Sequence, residues 1–509
     1  MTRFLTVCCL TIAACCALSA RADVTYDKVK DGNQEIEVVR MTVTPAAEPV
    51  PAFRHRLLAR EVDLKSGNAV PFYYRAQAEM RPVLKKLRET FDEEKELSLW
   101  YGTGDDSTPI AKLPLEKVRE ANQMFDPIYR NHLLPAFERA DCDWELGIRE
   151  LRGVEMVSFL LPEFQDSREI ARIMALRARL AIAEGRYDDA ITIMQNQYRL
   201  GHDVATVPFL VCGLIGIAID GVTNGTLIDL IGNPDSPNMY WALTELPQPP
   251  ISLQGAARFE MDFGPRIFPF IDQAATAEHA PEEWNRLFTK AVRDFAALNG
   301  DLSSTQGVIP GNLDEVKAGV AATGLGLIGY THAKERLIAQ GMDRDRVENM
   351  AVGQVIAIYT ERVYRRFSED YEKLWYMPFA EMRAASAAVE KDLRAASFYG
   401  SGEDRELLPI VSVLMPAIQN VRIAQVRLER EVAALRVIEA LRMHAAQHDG
   451  QLPKSLDEIT AVPVPPNPAT SAPFVYRLDG KTAVLDLPFS DGTNGGNRRY
   501  EIQIAAKGK

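Results

Sequence analysis

The sequence predicts a mainly α protein: an irregular multi-helix body that includes a helical hairpin, plus a small C-terminal α+β module. Three observations predict it. From about Ala76 to Ala446 apolar residues recur at helical spacing, punctuated by Pro and Gly. In the last sixty or so residues that period gives way to alternation at period two, the pattern of half-buried strands. The composition, 47% apolar and 25% charged over 509 residues, is that of an ordinary globular protein with enough chain for a large core.

The expected organisation is a leader over 1–22, an N-terminal strand or extended segment over 23–80, a helical body over 81–445 and the small module over 446–509. Met1-Thr2-Arg3 is a short basic start. FLTVCCLTIAACCAL follows, almost wholly apolar or small, and Ala20-Arg21-Ala22 offers a small-x-small exit before Asp23. Those are the three parts of a secretory signal peptide, and the apolar run is short for a bilayer span. The expectation is an exported protein of the periplasm or cell envelope. Ile12-Ala13-Ala14-Cys15 resembles a lipobox, and cleavage there would leave a lipid anchor on Cys15.

With the leader removed, Cys142 and Cys212 remain. An exported location permits a disulfide between them, closing a loop worth roughly 4 kcal/mol in chain entropy. Two free core thiols are the competing expectation, because Cys212 sits in the apolar run VPFLVCGLIGIAI. A net charge of −12 excludes a general nucleic-acid binder, which needs a clustered positive field.

Residues 34–44 alternate as one strand, which the three prolines of TPAAEPVPA then end. ALRARLAIAEG and RYDDAITIMQNQYRL form two amphipathic helices joined at Gly185. The apolar runs Val207–Ile219 and Val320–Ile328 are too short to span a membrane and are expected to be buried core helices, so no transmembrane helix is expected in the mature chain. Val421, Leu428, Val432, Leu435, Ile438 and Leu441 line one side of a long helix, ended by Gly450. Ser455 and Glu458 have capping-box spacing. VPVPPNPATSAP is a proline-rich connector. FVYRL and TAVLDL then form a hairpin with Asp479-Gly480 in the turn, and YEIQI supplies a third strand.

Gly185-x-Tyr187-x-x-Ala190 resembles the turn and second helix of a tetratricopeptide repeat, with no second copy at the repeat period. LKSGNAVPFYYRA, ADCDWEL, ARIMALRARLAIAEGRYDDAI and the stretch from Tyr330 to Tyr364 resemble segments shared by large exported proteins of planctomycete bacteria. That resemblance implies export and an α-rich fold, not a chemistry. HAAQHDGQLPKSLDEI followed by PFVYRLDG is similar to the globular end of type II secretion pseudopilins, which implies the module's shape and an extracytoplasmic setting.

Reactive motifs are weak throughout. His444 and His448 are four apart at a helix end and, with Asp449, have the residue types to bind a divalent metal, although Ala445 stands where the HEXXH pattern requires Glu. The run Asp491-Gly-Thr-Asn494-Gly-Gly-Asn497 offers oxygen ligands of the kind calcium takes, and reads equally as a Gly/Asn turn. GLGLIG satisfies G-x-G-x-x-G at Gly324, Gly326 and Gly329 but follows a helical pattern rather than a strand, so helix packing is the expectation. Cys142-Asp143-Trp144-Glu145 has no evident base for a thiolate. The leading expectation is an exported, non-catalytic helical protein with a protein partner and no cofactor. The alternative is an exported metal-dependent hydrolase using His444 and His448.

Overall fold

A computed structural model describes residues 24–31, 34–91, 94–102, 107–156, 162–274, 276–301, 313–398, 400–489 and 497–505. The leader with Cys15, and Asp491 and Asn494 of the candidate calcium loop, lie outside the described residues. The fold is mainly α with a small sheet.

Seven strands are described: β1 (Val24–Asp31), β2 (Gln34–Val43), β3 (Lys65–Asn68), β4 (Arg139–Asp141), β5 (Val475–Asp479), β6 (Thr482–Leu487) and β7 (Arg498–Ile504). The main sheet runs β1-β2-β7-β6-β5 and joins the two ends of the chain. β2 pairs with β7 in parallel, and the other neighbours are antiparallel. The N-terminal segment is therefore a two-stranded hairpin rather than the single expected strand, and it completes the C-terminal module. One face of this sheet is a continuous apolar row. Val39 lies opposite Tyr500, Met41 opposite Ile502 and Leu485 opposite Tyr500, and all are buried. Such cross-strand pairs are the unit of sheet stability. The turn of the expected hairpin is Gly480-Lys481, with Gly480 at φ +65° and Asp479 already paired to Thr482. The expected capping box is only half formed. Ser455 makes no side-chain cap, while Glu458 accepts a hydrogen bond from the Lys454 N–H at 2.9 Å.

The helices include α1 (Val70–Thr90), α2 (Leu115–Ile128), α3 (Pro162–Ala183), α4 (Tyr187–Ala205), α5 (Leu210–Ile231), the short α6 (Tyr240–Thr244), α7 (Pro281–Asp301), α8 (Glu315–Ala339), α9 (Val352–Glu372), α10 (Phe379–Ala396) and α11 (Ile410–Gln447). α3 and α4 are the expected hairpin, turning at Gly185 with φ +72°, a conformation that favours glycine. α5 packs on both. It is apolar enough by length and composition to cross a membrane, yet two-thirds of its most apolar window is buried within the fold, as a core helix requires.

Apolar burial falls into two clusters. One gathers the sheet, α1 to α6 and the C-terminal half of α11; the other gathers α7 to α10 and the N-terminal half of α11. α11 joins them. Its 38 residues extend about 57 Å at 1.5 Å per residue. The predicted stripe, Val421 to Leu441, is buried throughout. Polar side chains are buried as well: Gln425, Glu439 and Arg442 lie within the sector of the stripe itself, and Arg430 lies on the far side.

The second apolar run departs from expectation. α8 turns its small residues Ala318, Ala322, Gly326, Gly329 and Ala333 inward together with Leu337, and several of its large ones outward. Val316, Val320, Leu327 and Ile328 are 77%, 70%, 80% and 65% exposed. The inward glycines permit close approach. A Cβ on Gly329 would stand 2.7 Å from the Leu407 side chain. That packing accounts for GLGLIG, which lies mid-helix with no strand before it.

Candidate functional site

His444 and His448 end α11, as the spacing predicts, but their rings stack face to face at 3.9 Å between centroids. Imidazole binds metal through an in-plane lone pair, so stacked rings do not aim at a common point. His448 Nδ1 is engaged with the His444 carbonyl at 2.8 Å. Burial, and then the proximity of His448, pull the His444 pKa below its usual value. Asp449 follows in the left-handed region at φ +53° and is exposed. Among the described residues no three His, Cys, Asp or Glu side chains gather in a way that would hold a metal ion.

Cys142 and Cys212 are both free thiols. Burial, and then the charge of Asp203, push the Cys142 pKa well up. A thiol so placed stays protonated and unreactive. Its surroundings are an aromatic clasp on Asp203. Tyr73 donates to the Asp203 carboxylate at 2.5 Å, Arg199 donates to it at 2.8 Å, and the Trp144 indole donates to the Asp203 carbonyl at 3.0 Å. Tyr73 and Trp144 stack at 5.7 Å, while Asn68 exchanges two hydrogen bonds with the Asp143 backbone. The GNA and DCDW segments therefore pack on each other, and their aromatic residues have a structural task.

One buried acid is unaccounted for. Asp220 on α5 is fully inaccessible, and neither carboxylate oxygen finds a hydrogen-bond partner. Burial alone drives its pKa well up. The nearest group is His202 on α4, whose Nε2 lies 3.7 Å away and is also unpartnered. Burial lowers the His202 pKa to about 4, leaving a neutral ring at pH 7.

Concave surfaces among the described residues include a strongly charged one of about 370 Å³, lined by Arg258, Asp262, Glu361, Arg365 and Glu372, and two of a different make-up. A groove of about 420 Å³ runs between α7 and α8 and is floored by Phe288, Ala322, Gly326 and Tyr330, with Leu327 and Val352 on its rim. No charged side chain lines it. It is continuous with the outward apolar face of α8 through Leu327.

The second is a cavity of about 270 Å³ whose first wall is α11, with Glu429, Val432, Ala433 and Arg436. Leu243 and Leu246 of α6 and its following loop, with Pro247 and Pro250, form another wall. The third is the proline-rich connector, with Pro465, Pro466, Pro468 and Asn467. Asn467 holds that connector in shape. Its carbonyl accepts from the Thr470 and Ser471 N–H groups, and its side-chain amide donates to the Pro488 carbonyl. The sequence reading passed over this cavity, because its walls come from three distant stretches. The one signal available was the density of prolines at 463–468.

No protein-family description, curated protein or solved structure matches this chain.

Proposed function

We propose that this chain is an exported, non-catalytic helical protein of the periplasm or cell envelope, and that it works by binding protein through the outer face of α8. The leader sequence supports export. The tetratricopeptide-like hairpin and pseudopilin-like C-terminal module support a contact role in that setting. One observation carries the reading: over its first four turns α8 places Ala318, Ala322, Gly326 and Gly329 inside and Val316, Val320, Leu327 and Ile328 outside. A helix covered on one side only would do the reverse. Exposed apolar area of this kind marks an interaction surface.

The occupant is α8 of a second copy. Gly324 lies mid-way along the stripe, with open space where a Cβ would sit. An antiparallel partner crossing there sets Val320 of one copy against Ile328 of the other, four residues to either side. A self-complementary patch closes as a twofold dimer.

Sedimentation velocity of the mature chain tests this. A dimer is expected, converted to monomer by Leu327→Glu with unchanged circular dichroism. A monomer at every concentration overturns the reading. So does a dimer that Leu327→Glu leaves intact. A mature N-terminus at Asp23 is expected; the unprocessed leader on the purified cellular protein overturns export.

A further inference from the structure

The cavity on α11 stands apart from the α8 face and has features of a ligand site. Glu429 and Arg436 are seven residues apart on one helix face, about 10 Å along the axis. Between them Val432 and Ala433 form an uncharged floor. Arg436 has no carboxylate within ion-pair distance among the described residues. Its guanidinium rests 5.5 Å from the Tyr240 ring, and its Nε is buried without a hydrogen-bond partner. Tyr240 is held in turn by its hydroxyl, which donates to the Pro463 carbonyl. Glu429 is positioned by Gln425, whose amide donates to it at 2.6 Å, and by Arg422, whose guanidinium lies 3.8 Å from it and leaves its second oxygen for a ligand amine. The opposing walls carry five prolines. A proline keeps its carbonyl and lacks an N–H, so these five positions add acceptors and no backbone donors, beside the side chains of Gln248, Asn467 and Ser471.

We infer that this cavity binds a short peptide with a free C-terminal carboxylate on Arg436 and its amino terminus toward Glu429, its apolar side chains lying on Val432, Ala433 and the prolines. Each feature selects for that class. An unpaired guanidinium takes a carboxylate in bidentate fashion. A proline wall, rich in acceptors and poor in backbone donors, suits a ligand with backbone N–H groups. An extended chain advances about 3.3 Å per residue, so three residues span the distance between the two charges. The apolar walls with a few fixed polar groups match the general make-up of small-ligand pockets, and the volume of about 270 Å³ is just below their usual range, which limits the ligand to a short peptide.

Calorimetric titration of the intact mature protein with Ala-Leu-Ala tests the inference, with the C-terminal amide of the same tripeptide as comparator. The free acid binds, and the amide binds at least about tenfold more weakly, because only the carboxylate pairs with Arg436. Arg436→Gln shows a similar loss for the free acid, and Arg436→Lys recovers part of it. Hydrogen exchange on the wild type shows protection at 429–436 and 465–471 when the peptide is added. Binding is unchanged in Leu327→Glu, which separates this site from the α8 face. No heat from either peptide overturns the inference, as does equal affinity for acid and amide. The acid–amide comparison uses the wild type alone, so it decides even if Arg436→Gln fails to fold.

Discussion

Glu439 and Arg442 stand three residues apart on α11 and pair at 3.0 Å, with neither side chain reaching solvent. Arg442 also donates to the Ser236 carbonyl at 2.8 Å and hydroxyl at 3.0 Å, and to the Thr44 carbonyl at 2.9 Å. The pair therefore ties two distant chain segments to the helix that joins both apolar clusters. Removing one partner leaves the other charge buried and alone. Arg442→Met is expected to cost about 3–5 kcal/mol in chemical denaturation. Glu439→Leu combined with Arg442→Met is expected to recover part of that loss, because no orphaned charge remains. A single substitution costing under about 1 kcal/mol would show the pair to be energetically idle.

Asp220 contrasts with that pair: among the described residues neither of its carboxylate oxygens has a hydrogen-bond partner, and the His202 ring 3.7 Å away is neutral at pH 7. The Asp220 pKa is raised in the folded chain, so the fold holds this proton more tightly than the unfolded chain does. The resulting stability is complete at pH values below the usual carboxyl range and is lost as pH rises toward the native pKa. Asp220→Asn removes the titration while keeping the shape. The variant is expected to melt a few degrees higher than the wild type at pH 8 and close to it at pH 4. Scanning calorimetry at the two pH values checks this. Equal melting temperatures at pH 8 would mean that the carboxylate is well accommodated.

α9 approaches α7 through Gly353. A Cβ there would stand 2.6 Å from the Trp284 carbonyl oxygen, and backbone cannot swing aside as a side chain can. Asn285 accepts from the Gly353 N–H at 3.2 Å across the same contact. Gly353→Ala is expected to destabilise by about 1–3 kcal/mol despite alanine's better helix propensity. Gly319→Ala on α8, where a Cβ meets open space, is expected to stabilise slightly. Thermal melts of the two variants should move in opposite directions.

These sites show what the sequence makes legible. The stripe from Val421 to Leu441, the turn at Gly185 and the hairpin at Gly480 are local patterns, readable because one element's period or one turn's chemistry fixes them. The pairing of β2 with β7 joins residues about 460 apart, and no local signal encodes it. Arg442 stands seven residues after Leu435 and four after Ile438, inside that stripe, so its place is legible although its residue type normally marks the wet side of a helix. Val320–Ile328 departs from expectation for a related reason: apolar composition does not say which side of a helix the fold covers. Among the candidate ligands, His444 and His448 share a helix face as their spacing predicts. Whether rings converge or stack depends on χ angles that spacing does not fix. The α11 cavity is less legible still, since Glu429 and Arg436 look like ordinary surface charges until Pro247 and Pro466 close over them.

Glu406 titrates against folding from a different position. It is buried just before α11, accepts the Val411 N–H at 2.7 Å and the Ser412 N–H at 3.3 Å, and takes the Ser412 hydroxyl as well. Carboxylates are stabilised at a helix start by those donors and the dipole. Desolvation outweighs them and pushes its pKa from 4.5 to about 7. The proton is again held more tightly in the folded chain. Its contribution is therefore full below pH 4.5 and falls away through about pH 7. Over that window the wild type is expected to lose on the order of 3 kcal/mol from this group alone. Glu406→Gln keeps an acceptor for the helix start and carries no titrating proton. Urea denaturation at pH 5 and pH 8 should show a smaller pH-dependent loss in the variant than in the wild type. Parallel losses would mean that the helix-start donors hold Glu406 ionised throughout, and that desolvation is the weaker force at this end of α11.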